Sequence, residues 1–114
     1  MRTIFKTEEF DEFYNNSENN LKQKIEYVSA IIETMPIIHS KIAKKLTNEI
    51  LYELRIQINN EYRILLFTIN HENINQATAV IFLLGFMKKD TKEYKKQIKK
   101  AIKILEKWQT KQNS

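Results

Sequence analysis

The sequence has no cysteine, and its 114 residues include one glycine, one proline and one tryptophan. Without cysteine there is no disulfide framework and no thiolate ligand for a metal ion, which is compatible with a reducing cytoplasm. So few breakers favour long helices and few long loops. No run approaches the roughly 18 apolar residues that a membrane-spanning helix needs. The start, Met1-Arg2-Thr3-Ile4-Phe5-Lys6, soon meets Glu8, Glu9 and Asp11, unlike a secretory leader. The expectation is a cytoplasmic chain with no membrane partner, no cofactor and no metal.

What is present points to one compact unit. The length suits a single domain over residues 1–114, able to bury about two-thirds of its unfolded surface. Apolar residues make up 42% and charge is mixed, which argues against disorder. The net charge of +5 is unevenly placed: residues 88–114 carry ten lysines against three acidic residues, a net +7. The first 87 residues carry nine basic against eleven acidic, a net −2. Such local basicity suits a nucleic-acid face or an acidic partner.

Taken in order, residues 2–6 read as a short strand. Thr7 can cap a helix whose first turn holds Glu8 and Glu9, favourable at the positive end of the helix dipole. Asn16-Ser17 ends that helix and can cap the next. Leu21, Ile25, Val28, Ile32 and Met35 recur at helical spacing until Pro36, which predicts a helix over 18–35. Residues 36–49 fit either a short helix or an irregular loop. Three strand-like runs follow, at 50–58, 61–68 and 77–86, the last apolar on both faces as in a central strand. Gly85 marks a bulge or a close backbone approach there. Asp90 or Thr91 can cap a last helix over 91–109. Its apolar stripe is Tyr94, Ile98, Ala101, Ile102, Leu105 and Trp108, with Lys95, Lys96, Lys99, Lys100, Lys103 and Lys107 outward. The tail from Thr110 to Ser114 is expected to fray.

Parity fixes the hairpin. Tyr52, Leu54, Ile56 and Ile58 share one face of the first run, and Glu53, Arg55 and Gln57 the other. A two-residue Asn59-Asn60 loop would put Arg63 on the apolar face. A three-residue loop, Asn59-Asn60-Glu61, pairs Ile58 with Tyr62 and puts Arg55 and Arg63 on one face. Register follows burial, so the odd loop is preferred, with one residue in the left-handed region. Two isolated strand arginines followed by Lys88, Lys89 and Lys92 make one cationic surface, suited to a polyanion such as RNA.

Three motifs resemble RelE/HigB-type toxins of bacterial type II toxin–antitoxin systems, in the phage Gp49-like HigB branch of the RelE/ParE superfamily. Leu51-Tyr52-Glu53-Leu54-Arg55 resembles that family's Tyr-Glu-Leu-Arg strand. Glu61-Tyr62-Arg63-Ile64-Leu65 resembles its return strand, and Phe86-Met87-Lys88-Lys89 with Lys92 its Phe-x-Lys-Lys…Lys end. The resemblance spans roughly residues 2–109. The chain departs from the branch after Lys92, where Glu93-Tyr94 replaces the usual Thr-Pro, and at Gln97, where an acidic residue is common. His39 and His71 lie outside all three motifs.

The resemblance implies an α+β fold of order β-α-α-β-β-β-α, with a helix hairpin and a C-terminal helix on a small, mainly antiparallel sheet. It implies a ribosome-dependent mRNA endonuclease that inhibits translation, with ribosome, mRNA and a cognate antitoxin, a small helix-turn-helix protein, as partners. The implied site is Arg63 as transition-state phosphate ligand, Arg55 beside it, Lys88, Lys89 and Lys92 on phosphates or the leaving group, and Tyr94 stacking or relaying a proton. Guanidinium groups suit phosphate because they bind two oxygens at once. The bland alternatives are a solvated Arg63, an Arg55 paired with Glu53 or Glu61, a solvated lysine face and a core Tyr94. At the level of function the alternatives are a ParE-like gyrase poison and a non-catalytic RNA-binding or interaction module.

Overall fold

The computed structural model describes residues 1–112. Its elements are β1 (Thr3–Lys6), α1 (Glu8–Asn15), α2 (Asn19–Thr34), β2 (Ala43–Lys45), β3 (Tyr52–Ile58), β4 (Asn60–Ile69), β5 (Ala79–Met87) and α3 (Thr91–Gln112). They form one five-stranded sheet of order β1-β5-β4-β3-β2, antiparallel except for the parallel β1–β5 pair. The α+β arrangement matches the expected order, with one addition. Residues 36–49 are neither a helix nor wholly irregular, because Ala43–Lys45 adds a short edge strand to β3.

Each face of the sheet carries its own core, because strand side chains alternate. On one side, Tyr52, Leu54 and Ile56 of β3, Ile64 and Leu66 of β4, and Val80 and Phe82 of β5 pack with Phe10 of α1 and Leu21, Ile25, Val28 and Ile32 of α2. On the other, Leu65, Ile81, Leu83, Leu84 and Phe86 pack with Ala101, Ile104 and Leu105 of α3. The expected α3 stripe omitted Ile104, although it is buried.

Local chemistry sets the ends. Thr7 caps α1 by accepting from the Phe10 amide at 3.0 Å, and its hydroxyl donates to the Leu83 carbonyl at 2.6 Å, tying helix to sheet. Ser17 does not cap α2; its hydroxyl donates back to Phe13, and Glu18 stands at the cap without a side-chain bond. The end of α2 is closed by Arg2, expected as the first strand residue but lying just before β1. Arg2 is buried and donates to the carbonyls of Ile32, Met35, Pro36 and Ile74. A cation there satisfies orphan carbonyls at the negative end of the helix. At the other terminus α3 continues through Thr110 to Gln112 rather than fraying at 110; residues 113–114 of the expected tail lie outside the described residues.

Gly85 is explained by proximity. Between Leu65 and Leu66 the β4–β5 register slips, so Leu83 and Leu84 both serve the α3 side. Gly85 then faces α1, where an added Cβ would lie 2.3 Å from the Phe13 ring. Only glycine lets helix and strand approach this closely.

Candidate active site

The hairpin turns on a single residue, Asn59, in the left-handed region at φ 58°. Ile58 pairs with Asn60, Ile56 with Tyr62, and Arg55 with Arg63. Parity is as expected from burial, but the register is two residues tighter than an Asn59-Asn60-Glu61 loop gives. The consequence is chemical: the two arginines lie directly opposite each other rather than diagonally. Arg63 in turn faces Phe86 of β5, and the Lys88 amide donates to the Glu61 carbonyl at 2.8 Å, carrying the ladder to the lysine cluster.

Like charges directly across a ladder repel. Glu53, two residues before Arg55 and so on the same face, resolves this. Its Oε1 accepts from Arg55 Nε at 2.9 Å and pairs with Arg55 Nη2 at 2.9 Å. Its Oε2 lies 3.5 Å from Arg63 Nε. Arg63 further donates from Nη1 to the Tyr62 carbonyl at 3.0 Å and from Nη2 to Glu61 Oε1 at 3.3 Å. Glu53 Oε2 and Arg63 Nε have no hydrogen-bond partner among the described residues. At 3.5 Å they form an ion contact rather than a hydrogen bond.

Burial separates the two arginines. The side chains of Arg63 and Glu53 are each 5% exposed, whereas that of Arg55 is 40% exposed. The reading of Arg63 as a solvated strand arginine is therefore corrected: the sheet and its neighbours enclose it. Lys88, Lys89 and Lys92 are exposed at the β5–α3 junction. Asp90, rather than Thr91, caps α3, its carboxylate accepting from the Glu93 amide at 2.7 Å. Tyr94 is half-buried, with its ring edge-on to Phe86 at 5.5 Å. It thus belongs to the α3-side core and sits beside the residue that faces Arg63.

The structure therefore gathers Arg55 and Arg63 through Glu53, places Lys88 on the continuation of that ladder and links Tyr94 through Phe86. Lys89 and Lys92 make no ion pair among the described residues. Glu53 was visible in the sequence only as one ion-pair partner for Arg55; its spacing of two from Arg55 was the signal for more. His39 and His71 are exposed and serve local turns, accepting from the Lys41 and Asn73 amides. No group of three or more His, Cys, Asp or Glu placed to hold a metal occurs among the described residues.

A family model described as phage derived protein Gp49-like (DUF891) matches residues 8–106. The chain belongs to the Gp49-like family. That family is part of the RelE/HigB-like toxin group and implies an antitoxin partner. The Gp49-like match covers both arginines, the lysine cluster and Tyr94. Neither the curated proteins nor the solved structures searched give a match. Among the described residues no helix is long and apolar enough to cross a membrane.

Proposed function

We propose that this Gp49-like chain is the toxin of a type II toxin–antitoxin system, a single domain that cleaves mRNA on the ribosome and so stops translation in the cytoplasm. The observation that carries the reading is the alignment of Arg55 with Arg63 on one sheet face, continued by Lys88. It brings two guanidiniums and the start of the lysine cluster together within the span that the family model matches.

The reaction is internal transfer at phosphorus. The ribose 2′-oxygen bonds to the adjacent phosphorus, the bond to the 5′-oxygen breaks, and a 2′,3′-cyclic phosphate and a 5′-hydroxyl result. One proton leaves the 2′-hydroxyl and one reaches the departing 5′-oxygen. Negative charge on the non-bridging oxygens rises at the transition state, and preorganised guanidinium groups stabilise that rise. The Arg55–Arg63 pair supplies this charge from the sheet face, Lys88, Lys89 and Lys92 hold flanking phosphates or the leaving oxygen, and Tyr94 is the candidate for stacking on a base. The exposed lysines of α3 grip ribosomal RNA. The ribosome orients the substrate, which lowers what the protein alone must contribute.

Primer extension on cellular mRNA after induction tests the reading. New 5′ ends within coding regions, absent when the antitoxin is co-expressed, support it. Growth arrest with intact mRNA and inhibited gyrase replaces it with the gyrase-poison reading. No arrest and no cleavage leaves a non-catalytic binding module.

A further inference from the structure

We infer that Arg55 is the guanidinium that meets the phosphate, and that Arg63 and Glu53 are positioning residues that hold it. This deepens the proposed nuclease reading and rests on it for the identity of the substrate.

The inference follows from the donors. Every nitrogen of the Arg63 guanidinium faces an acceptor within the protein: Nε the Glu53 carboxylate, Nη1 the Tyr62 carbonyl, Nη2 the Glu61 carboxylate. Its side chain is 5% exposed. A group so enclosed offers no free edge to an incoming phosphate. Arg55 is the reverse. Its Nε and Nη2 are both held by Glu53 Oε1, its Nη1 has no acceptor among the described residues, and its side chain is 40% exposed. One edge is anchored and the other is open, which is how a guanidinium becomes a fixed donor rather than a mobile one.

The three side chains form a relay. Arg63, as buried as Glu53, lies against Glu53 Oε2; Glu53 fixes Arg55 through Oε1; Arg55 is the exposed end of the relay. With Glu61 also on Arg63 Nη2, two carboxylates match the two guanidiniums, so it is the open Nη1 edge of Arg55, rather than a surplus of charge, that an anion would meet. The arginines lie directly opposite each other. In this register one carboxylate, two residues from Arg55 on the same strand, reaches both.

A sign distinguishes positioning from simple charge balance. Glu53→Gln removes a negative charge beside an anion site. If Glu53 were only a counter-ion, the variant would bind phosphate more tightly, since Coulomb attraction rises. If Glu53 positions Arg55, binding weakens although the net charge has risen by one. The experiment uses the full chain, with inorganic phosphate as probe, followed by the side-chain NMR resonances of ¹⁵N-labelled arginine. Single-turnover cleavage of ribosome-bound mRNA is measured in parallel.

Arg55→Ala is expected to abolish the saturable phosphate response and to lower the maximal cleavage rate about 10²–10³-fold. Glu53→Gln is expected to weaken phosphate binding and to lower that rate roughly 10–10²-fold with little change in half-saturation, the pattern of a misplaced group. Glu53→Asp keeps the charge but withdraws the carboxylate by one methylene, and it is expected to show the same losses. It carries the comparison where Glu53→Gln does not fold. Tighter phosphate binding in Glu53→Gln with parental cleavage, or parental behaviour in Glu53→Asp, overturns the positioning role. Parental phosphate binding and cleavage in Arg55→Ala overturns the assignment of the phosphate ligand, as does a parent whose arginine resonances ignore phosphate. A parent that binds phosphate as described but cuts no mRNA sinks the nuclease reading and leaves the anion site standing.

Discussion

Arg63→Ala is the substitution on which sequence and structure differ most. An exposed strand arginine adds little to stability, so its removal would leave folding nearly intact. The structure predicts otherwise. Arg63 is 5% exposed and faces the Glu53 carboxylate, whose own side chain is 5% exposed. Deleting it strands Glu53 Oε2 in a dry site and frees the Tyr62 carbonyl. Removing one partner of a buried ion pair costs roughly 3–5 kcal/mol. Arg55 still holds Oε1 and is partly solvated, which places this case near the lower end, about 3 kcal/mol. For a domain whose whole stability is on the order of 5–15 kcal/mol, that is a large share. At about 4 °C per kcal/mol for a chain of this length, Tm should fall by about 12 °C. Arg55→Ala removes the hydrogen-bond donor of the buried Glu53 carboxylate but admits water where the 40% exposed side chain stood, so it should cost less, about 1–3 kcal/mol. Urea unfolding followed by circular dichroism measures both, and a cycle with Glu53→Gln should show coupling of roughly 0.5–3 kcal/mol for Arg63. An Arg63→Ala protein within about 0.5 kcal/mol of the parent refutes the enclosed relay.

Three further outcomes test other parts of the structure. Gly85→Ala drives a methyl into the Phe13 ring; it should destabilise by roughly 1–3 kcal/mol in urea titration, and a neutral result contradicts the close α1–β5 contact. Arg2→Met leaves four carbonyls without their donor; a loss of at least about 2 kcal/mol is expected, together with faster amide hydrogen exchange at the end of α2. Lys95→Ala, on the exposed face of α3, should weaken binding to ribosomes modestly and reduce the slope of log affinity against log salt by about 0.7–0.9 if it contacts one phosphate, without changing the cleavage rate of bound complexes.

Periodicity carried most of the architecture. The switch from helical spacing to alternation at about residue 50, and back at about 90, is a direct consequence of which faces are buried, so α2, β3, β4, β5 and α3 were legible. Parity alone put Arg55 and Arg63 on one face. What parity cannot supply is register, because a shift of two residues preserves every face; the single-residue turn at Asn59 had to be seen. Burial of Arg63 was hidden for a related reason. Alternation says which side a residue takes but not how far α3 covers that side. The strand Ala43–Lys45 is too short to show a period. Arg2 gave no signal, since its acceptors come from α2 and the loop at Ile74, far away in sequence. Asx and hydroxyl caps were legible at Thr7 and Asp90 and misleading at Ser17, whose hydroxyl bonds backward instead.

The central claim is that this protein cuts mRNA with a guanidinium held on its sheet face. Single-turnover cleavage of mRNA programmed in the ribosomal decoding site, with parent and Arg55→Ala at saturating protein, tests it most directly. The account predicts cleavage by the parent, with a cyclic phosphate at the new 3′ end. It predicts a rate about 10²–10³-fold lower for a folded, ribosome-bound Arg55→Ala. Uncut mRNA with the parent, or equal rates for the two proteins, contradicts it.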